Sequence, residues 1–163
     1  MDDYTRDEIR AGAKYVRRMI LHIVCPGCDL IHTYNGNMDI TCNNIACKTN
    51  FCGWCKIHKG STRHELDKYT NIEEHIRSVH GKENVCVSIE AYKGMMHRKL
   101  RSYLFLQPQE IRDGILKEIL PDVVLMHDAE LAQIVCDFAC NDPATLLRKL
   151  EAFYKDAEKI LDM

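Results

Sequence analysis

Apolar residues recur at helical spacing near the start of the chain. Thr5 and Glu8 form a capping box just before these apolar residues. The box and the spacing together predict a helix that extends to about Leu21. The apolar face of this helix consists of Ile9, Ala13, Val16 and Ile20. Arginine and lysine side chains occupy much of the opposite face, which is typical of a solvated helix surface.

Helical spacing returns in the second half of the chain, where it predicts four helices and therefore a helical bundle. Proline and aspartate residues mark several of the boundaries, because proline suits a first helical turn and aspartate suits an N-cap. The predicted helices run from Val85 to about Leu106, from Pro108 to just before Pro121, from Asp128 to about Asn141, and from Asp142 onward.

Between these helical regions the pattern changes to the alternation that is typical of short strands. Leu30 to Tyr34 alternates, Asn35-Gly36 is a strong hairpin-turn signal, and Met38 to Cys42 is predicted as the returning strand. A second small hairpin is predicted around Phe51 and Trp54. Two roles are open for Trp54, which either packs against the N-terminal helix or is exposed to bind a partner.

Six of the nine cysteines lie within thirty-one residues, with the spacing C-x2-C-x13-C-x4-C-x4-C-x2-C. A C-x2-C pair forms a tight turn that presents two thiolates to one tetrahedral ion, and Zn²⁺ accepts both sulfur and imidazole ligands. One predicted site has four cysteines, and a second has two cysteines and needs two more ligands. The six predicted cysteine ligands are Cys25, Cys28, Cys42, Cys47, Cys52 and Cys55.

A disulfide framework is the alternative explanation for this cysteine spacing. Disulfides belong to secreted proteins, and the charged segment from Met1 to Arg10 lacks the pattern of a secretory signal peptide. We therefore expect an intracellular protein, cytoplasmic or nuclear, whose reduced thiols bind two structural Zn²⁺ ions per chain.

Two pairs of histidines compete to complete the second site. His75 and His80 lie near the end of a short helix that is predicted to begin at a capping box of Thr70 and Glu73 and to stop at Gly81. This arrangement is similar to the helical half of a zinc finger with two cysteine and two histidine ligands. The sequence favours this pair, and it leaves the alternative open.

The rival pair is His58 and His64, which are closer in sequence to the cysteines. His58 follows Cys55 by only three residues, which makes a cramped chelate.

These patterns predict an α+β fold that is mainly α. A small two-zinc ribbon or hairpin module is preceded by one helix and followed by the helical bundle. The predicted boundaries place the N-terminal helix in residues 1–24, the module in residues 25–81 and the bundle in residues 82–163. We expect the bundle to pack on the module, because no linker-like segment separates them.

The cysteine-rich segment resembles the zinc modules of RING-between-RING (RBR) ubiquitin ligases, the IBR module and especially the catalytic module, Rcat. The resemblance covers about 35 residues, under a quarter of the chain, and implies a rigid two-zinc scaffold. It rests on Val24-Cys-Pro-Gly-Cys28, Asn35-Gly36, Thr41-Cys42 and Asn50-Phe-Cys-Gly-Trp-Cys55.

The chain differs from this family at the positions of the catalytic residues. In the Rcat module a nucleophilic cysteine stands five residues before the third zinc cysteine, and a histidine follows two residues later. Asn37 and Asp39 occupy these positions here. An amide cannot form a thioester with ubiquitin, since that reaction needs a thiolate. The resemblance therefore implies a scaffold without ligase chemistry.

Composition and charge narrow the function further. The chain has a formal net charge of −2, and it contains neither a long apolar run nor a strongly basic segment. We expect a non-catalytic, zinc-stabilised interaction or scaffold protein that docks to other proteins in a larger assembly. The alternatives are a ubiquitin-pathway factor and a nucleic-acid-associated zinc-finger factor. The latter would use the helix Ile72 to His80 with basic residues at Arg17–Arg18 and Arg98–Arg101.

Overall fold

The computed structural model describes residues 2–58 and 71–139, together with Arg148 and Lys155. Within these residues the fold is mainly helical and contains two small antiparallel sheets of two strands each. The predicted α+β, mainly α class is confirmed. Apart from Arg148 and Lys155, the helix predicted from Asp142 onward lies outside the described residues. None of the helices that the structure describes combines the length and apolar character that a membrane crossing requires.

The chain divides into two compact units. The cysteine-rich unit comprises Arg18–Met95, and the helical unit combines Met1–Arg17 with Met96–Met163. Helix α3 (Ile89–Leu106) contributes residues to both units.

The helical unit begins with α1 (Asp3–Tyr15), which packs against α4 (Gln109–Met126). The N-cap is Asp2, whose Oδ1 accepts the backbone N–H of Thr5 at 2.7 Å. The helix therefore begins before the predicted capping box at Thr5, because the carboxylate of Asp2 satisfies the free N–H groups of the first turn. After Tyr15 the chain continues in a π-helical stretch, Val16–Leu21.

Helix α4 continues through Pro121, so the prediction that it stops before this residue is wrong. Proline removes one hydrogen bond from a helix interior. The guanidinium of Arg17 binds the neighbouring turn, where it donates to the carbonyl of Glu118 and, through Nε, to Asp122 at 2.8 Å. Burial of the apolar face on both sides of the proline also favours a continuous helix. That face consists of Ile111, Ile115, Leu116, Ile119, Val123 and Val124.

Helix α5 (Ala129–Phe138) packs against α4 and buries Leu131, Ile134 and Val135. Its predicted N-cap at Asp128 is confirmed, since Oδ1 accepts the N–H groups of Glu130 and Leu131, each at 3.1 Å. The core of this unit is therefore built from aliphatic side chains on packed helices.

The cysteine-rich unit contains four strands that form two hairpins. Strand β1 (Ile23–Val24) pairs with β2 (Ile31–His32), and β3 (Asp39–Thr41) pairs with β4 (Asn50–Cys52). The predicted pairing of residues 30–34 with residues 38–42 is wrong. Asn35-Gly36 lies in the segment that connects the two hairpins, and it is not the turn of either hairpin. Each hairpin instead closes through a turn that carries two cysteines of the predicted first site.

A short helix follows the strands, with α2 (Ile72–His75) continuing into a π-helical turn, Ile76–His80. Its N-cap is Asn71, whose Oδ1 accepts the N–H of Glu74 at 2.8 Å, and the predicted cap at Thr70 lies outside the described residues. The helix ends at Gly81 as predicted, with φ at +101°.

Trp54 is buried in the core of the cysteine-rich unit, with 7% of its surface exposed, so the exposed role, one of the two left open for it, is wrong. The described residues of its apolar cluster lie between Tyr34 and Met95, outside the predicted N-terminal helix. Its indole Nε1 donates to the carbonyl of Asn84 at 2.8 Å, which satisfies the polar edge of the ring. The apolar cluster around Trp54 consists of Met38, Cys52, Ile57, Ile72, Ile76 and Val85.

The contact between α1 and α4 depends on a glycine. A Cβ at Gly114 would lie 2.6 Å from Cγ1 and 3.0 Å from Cγ2 of Ile9. Gly114→Ala should lower the free energy of unfolding by up to about 2 kcal/mol, because overpacking a β-branched neighbour outweighs the helix propensity of alanine. Chemical denaturation measures this change.

Lys117→Ala, at an exposed position of the same helix, is the matched control and should be nearly neutral. Adding Ile9→Val to Gly114→Ala should recover part of the loss, because it removes Cδ1 of Ile9, the atom nearest to the added Cβ. A Gly114→Ala protein that is as stable as the wild type would contradict this packing.

Candidate metal centre

The first cluster forms where the turns of the two hairpins meet. Cys25 and Cys28 lie in the β1–β2 turn, and Cys42 and Cys47 lie between β3 and β4. Their sulfur atoms all lie within 4.8 Å of one another. The Sγ atoms of Cys25 and Cys47 are 3.7 Å apart, and those of Cys28 and Cys42 are 3.6 Å apart.

These distances distinguish a metal site from disulfides. A disulfide holds its sulfur atoms about 2.05 Å apart. A tetrahedral ion with metal–sulfur bonds of about 2.3 Å separates its sulfur ligands by about 3.8 Å. The separations of 3.6 and 3.7 Å therefore fit the edges of a tetrahedral sulfur site.

The second cluster brings Cys52 and Cys55 together with His75 and His80, with ligand atoms that also lie within 4.8 Å of one another. Cys55 Sγ is 3.2 Å from Nε2 of His75. Nε2 of His80 is buried and has no hydrogen-bond partner of good geometry in the described part of the chain. A buried ring nitrogen normally has a partner, and a bound ion would supply one.

The two C-x2-C turns share one backbone arrangement. The N–H of Cys25 donates to the carbonyl of Leu30, and the N–H of Asp29 donates back to the carbonyl of Cys25. The turn that starts at Cys52 repeats both bonds at the same spacing, to Ile57 and from Lys56. These backbone hydrogen bonds give the two turns the same shape.

Left-handed backbone follows the last cysteine of each turn. Asp29, Lys48 and Lys56 have φ values of +66°, +51° and +65°, and each comes directly after a clustered cysteine. Such φ values are uncommon for residues other than glycine, and they concentrate at sites whose surroundings impose them. The same backbone conformation therefore follows Cys28, Cys47 and Cys55.

Close packing at the first cluster requires glycine at position 27. A Cβ there would lie 3.0 Å from Cys47 Sγ and would also collide with the hydroxyl of Thr49. The N–H of Gly27 points at Cys25 Sγ across 3.3 Å, and the hydroxyl of Thr49 lies 3.1 Å from Cys47 Sγ. These polar groups stabilise negative charge on the two sulfurs.

A helical irregularity explains how His75 and His80 reach one ion. In a regular α-helix, residues five apart point about 140° away from each other around the axis. The turn Ile76–His80 is π-helical, and its i to i+5 geometry places residues five apart on the same side. The two imidazole rings accordingly lie 5.3 Å apart, nearly perpendicular to each other.

His58, the described member of the rival pair, is not part of either cluster. His58 forms an isolated bridge with Phe51, and its Nδ1 lies 3.4 Å from the carbonyl of Lys56. His64 lies outside the described residues. The structure thus places the favoured pair, His75 and His80, beside Cys52 and Cys55, and ligation by these residues stays a prediction.

Hydrogen bonding lowers the pKa of one thiol in each cluster. The side chain of Thr49 lowers the pKa of Cys47, and the side chain of Cys52 lowers the pKa of Cys55. A lowered pKa favours the thiolate, which is the form that ligates a metal ion.

Asn37, which the resemblance compares with the Rcat nucleophile, hydrogen-bonds to the backbone. Asn37 Oδ1 accepts the N–H of Asp39 at 2.9 Å, and Asn35 Oδ1 accepts the N–H of Asn37 at 3.2 Å. These two side-chain-to-backbone bonds shape the connection between the hairpins. The arrangement gives Asn37 a role in the backbone geometry.

Comparison with known proteins adds no relative: no family model, no curated protein and no solved structure matches this chain.

The two histidine pairs predict different metal contents. His75→Ala should lower the metal content by one ion per chain, because it removes a ligand from the second cluster, whereas His58→Ala should leave the content unchanged. Elemental analysis of the purified variants measures both. Loss of an ion in His58→Ala, with retention in His75→Ala, would assign the site to the rival pair.

Proposed function

We propose that this chain is a non-catalytic, zinc-stabilised protein-interaction or scaffold protein that binds two structural Zn²⁺ ions and docks to other proteins in a larger assembly. The observation that carries the proposal is the pair of four-ligand clusters, one with four cysteines and one with two cysteines and two histidines. Sites with four protein ligands of this kind are closed and structural, whereas catalytic zinc keeps one position for water or substrate.

Zinc is the ion that best suits both donor sets. Thiolate and imidazole ligands in tetrahedral geometry favour Zn²⁺ over the hard cations Mg²⁺ and Ca²⁺, which prefer oxygen. Bound Zn²⁺ would hold together short strands that have little stability alone. In this unit Cys25, Cys28, Cys42 and Cys47 would hold one ion, and Cys52, Cys55, His75 and His80 would hold the other.

Exposed apolar side chains on the same unit support a protein partner. Ile45 lies between Cys42 and Cys47 and is 84% exposed, and Ile31 on β2 is 60% exposed. Single exposed apolar residues are common on protein surfaces. These two, however, are carried by the hairpins whose turns form the first cluster, so metal binding would also fix their positions.

Charge pairing gives less support to a nucleic-acid partner. Arg17 pairs with Asp122 at 2.8 Å, Arg18 pairs with Asp29, and Arg101 pairs with Asp137 at 3.2 Å. Arginines from both predicted basic segments, Arg17–Arg18 and Arg98–Arg101, thus form ion pairs with carboxylates of the same chain. Release of counterions from phosphates, which drives nucleic-acid binding, needs a surplus of positive charge.

Removal of the metal should unfold the cysteine-rich unit. Trp54 is the chain's only tryptophan and lies in the core of this unit, packed on Cys52. A strong chelator should therefore shift the Trp54 fluorescence to longer wavelength, and added Zn²⁺ should restore it, because folding of such modules is coupled to metal binding. Added Mg²⁺ is the control and should not restore it. Fluorescence that a chelator leaves unchanged would contradict a structural metal.

The interaction itself can be tested with a surface variant. Ile31→Asp combined with Ile45→Asp should keep the metal content and the unfolding temperature of the wild type, because both side chains are exposed. Proteins that co-purify with the wild-type chain from cells should be absent when the double variant is purified in the same way. Identical sets of co-purifying proteins would contradict docking through this face.

A further inference from the structure

His97 on α3 is a buried histidine that belongs to neither cysteine cluster. Only 8% of its surface is exposed, and each of its ring nitrogens faces a carboxylate from the start of α5. Nε2 lies 2.7 Å from Oδ2 of Asp128, and Nδ1 lies 3.0 Å from Oε2 of Glu130. All three residues are in the helical unit. The contacts of the two nitrogens differ in kind.

The contact at Nε2 is a hydrogen bond that places a proton on this nitrogen. A carboxylate only accepts hydrogen bonds, so Nε2 of His97 donates to Asp128, and the neutral ring carries its lone pair on Nδ1. The other carboxylate oxygen of Asp128 accepts the N–H groups of Glu130 and Leu131, which holds the carboxylate in place. A histidine that binds a metal ion commonly donates its second nitrogen to a carboxylate in this way.

The contact at Nδ1 lacks the geometry of a hydrogen bond. Nδ1 of His97 is buried and has no hydrogen-bond partner of good geometry among the described residues, although Oε2 of Glu130 is 3.0 Å away. A hydrogen bond needs the oxygen near the axis of the nitrogen lone pair, whereas an ion between the two atoms can bind both when the oxygen lies off this axis. A buried lone pair that faces a carboxylate is unfavourable unless positive charge lies between them.

The spacing of the two atoms fits a single divalent metal ion. Bonds of about 2.0–2.2 Å to nitrogen and oxygen place two ligands of one ion about 2.9–3.4 Å apart. The separation of 3.0 Å falls within this range. The side chain of Glu130 is 81% exposed, so water can reach the other positions around the ion. Imidazole, carboxylate and water together suit a transition metal ion such as Zn²⁺.

We propose that Nδ1 of His97 and the carboxylate of Glu130 form a third metal site, which binds an exchangeable divalent transition metal ion and links α3 to the first turn of α5. Water molecules complete the coordination of the ion. This inference goes beyond the proposed function, because both of its ligands lie outside the cysteine clusters.

The test uses the full chain, with Zn²⁺ alone as the probe. Two protein ligands bind an ion more weakly than four, so the third ion should appear only when free Zn²⁺ is present. Each protein is dialysed to equilibrium against a series of Zn²⁺ concentrations, and bound zinc is counted by elemental analysis. The expected result is one zinc ion per chain in the wild type beyond those that the clusters hold.

A matched pair of variants assigns this ion to Glu130. Glu130→Gln keeps the size of an exposed side chain but removes the anionic ligand, and it should weaken binding of the third ion at least about tenfold. Glu110→Gln makes the same change at an exposed position in the first turn of α4 and should bind zinc as the wild type does. His97→Gln should also lose the third ion; if this buried variant does not fold, Glu130→Gln still decides the question.

Thermal unfolding followed by circular dichroism provides a second readout. An ion that binds only the folded chain raises the unfolding temperature. The free Zn²⁺ that fills the third site should therefore raise the unfolding temperature of the helices in the wild type and in Glu110→Gln, but not in Glu130→Gln.

Equal zinc binding by the wild type and Glu130→Gln would overturn the inference, and it is the result expected if a proton lies between His97 and Glu130 in place of a metal ion. Loss of the third ion in Glu110→Gln as well would also overturn it. Failure of the proposed function is distinguishable, because it appears as fewer than two zinc ions per chain before dialysis and leaves the comparison of these variants valid.

Discussion

The convergence of eight cysteine and histidine side chains into two clusters is the constraint on which the cysteine-rich unit depends. Its strands are only two or three residues long, and each sheet has two strands. Hairpins of this size are marginal in water, because few apolar contacts oppose the loss of chain entropy. Ions bound at the turns would supply the missing cross-links. The helical unit, by contrast, buries aliphatic side chains along α4 and α5.

The two clusters are built from one turn but occupy different surroundings. The turns at Cys25 and Cys52 share the same backbone hydrogen bonds, and each ends in a residue with left-handed backbone. The first turn joins a second hairpin and borders an apolar cluster that contains Ile23 and Phe51. The second joins a helix and borders the core around Trp54. A common local geometry can therefore bring its two cysteines together with residues from a hairpin in one cluster and from a helix in the other.

Local sequence patterns predicted the cysteines of the clusters and one helix cap. Strand pairing and the end of α4 depend on contacts between residues that are distant in sequence. Cysteine spacing identified the six cysteines of the two clusters, and a predicted short helix favoured His75 and His80 over the rival pair. Asp128 was recognisable as a cap because short acidic side chains satisfy a first turn directly. Strand pairing was missed, because the Asn35-Gly36 signal does not reveal that the cysteine turns close the hairpins. Arg17, about a hundred residues away in sequence, bonds the turn of α4 that contains Pro121. Such distant contacts leave no local pattern.

Zinc-edge X-ray absorption spectroscopy on the purified full chain tests the central claim most directly, because it counts sulfur and nitrogen neighbours without mutation. A four-sulfur site together with a site of two sulfurs and two nitrogens predicts an average shell of about three sulfurs at 2.3 Å and one nitrogen at about 2.0–2.1 Å per zinc. Elemental analysis of the same sample should give two zinc ions per chain. A shell dominated by oxygen, or a single zinc with four sulfurs, would contradict the account.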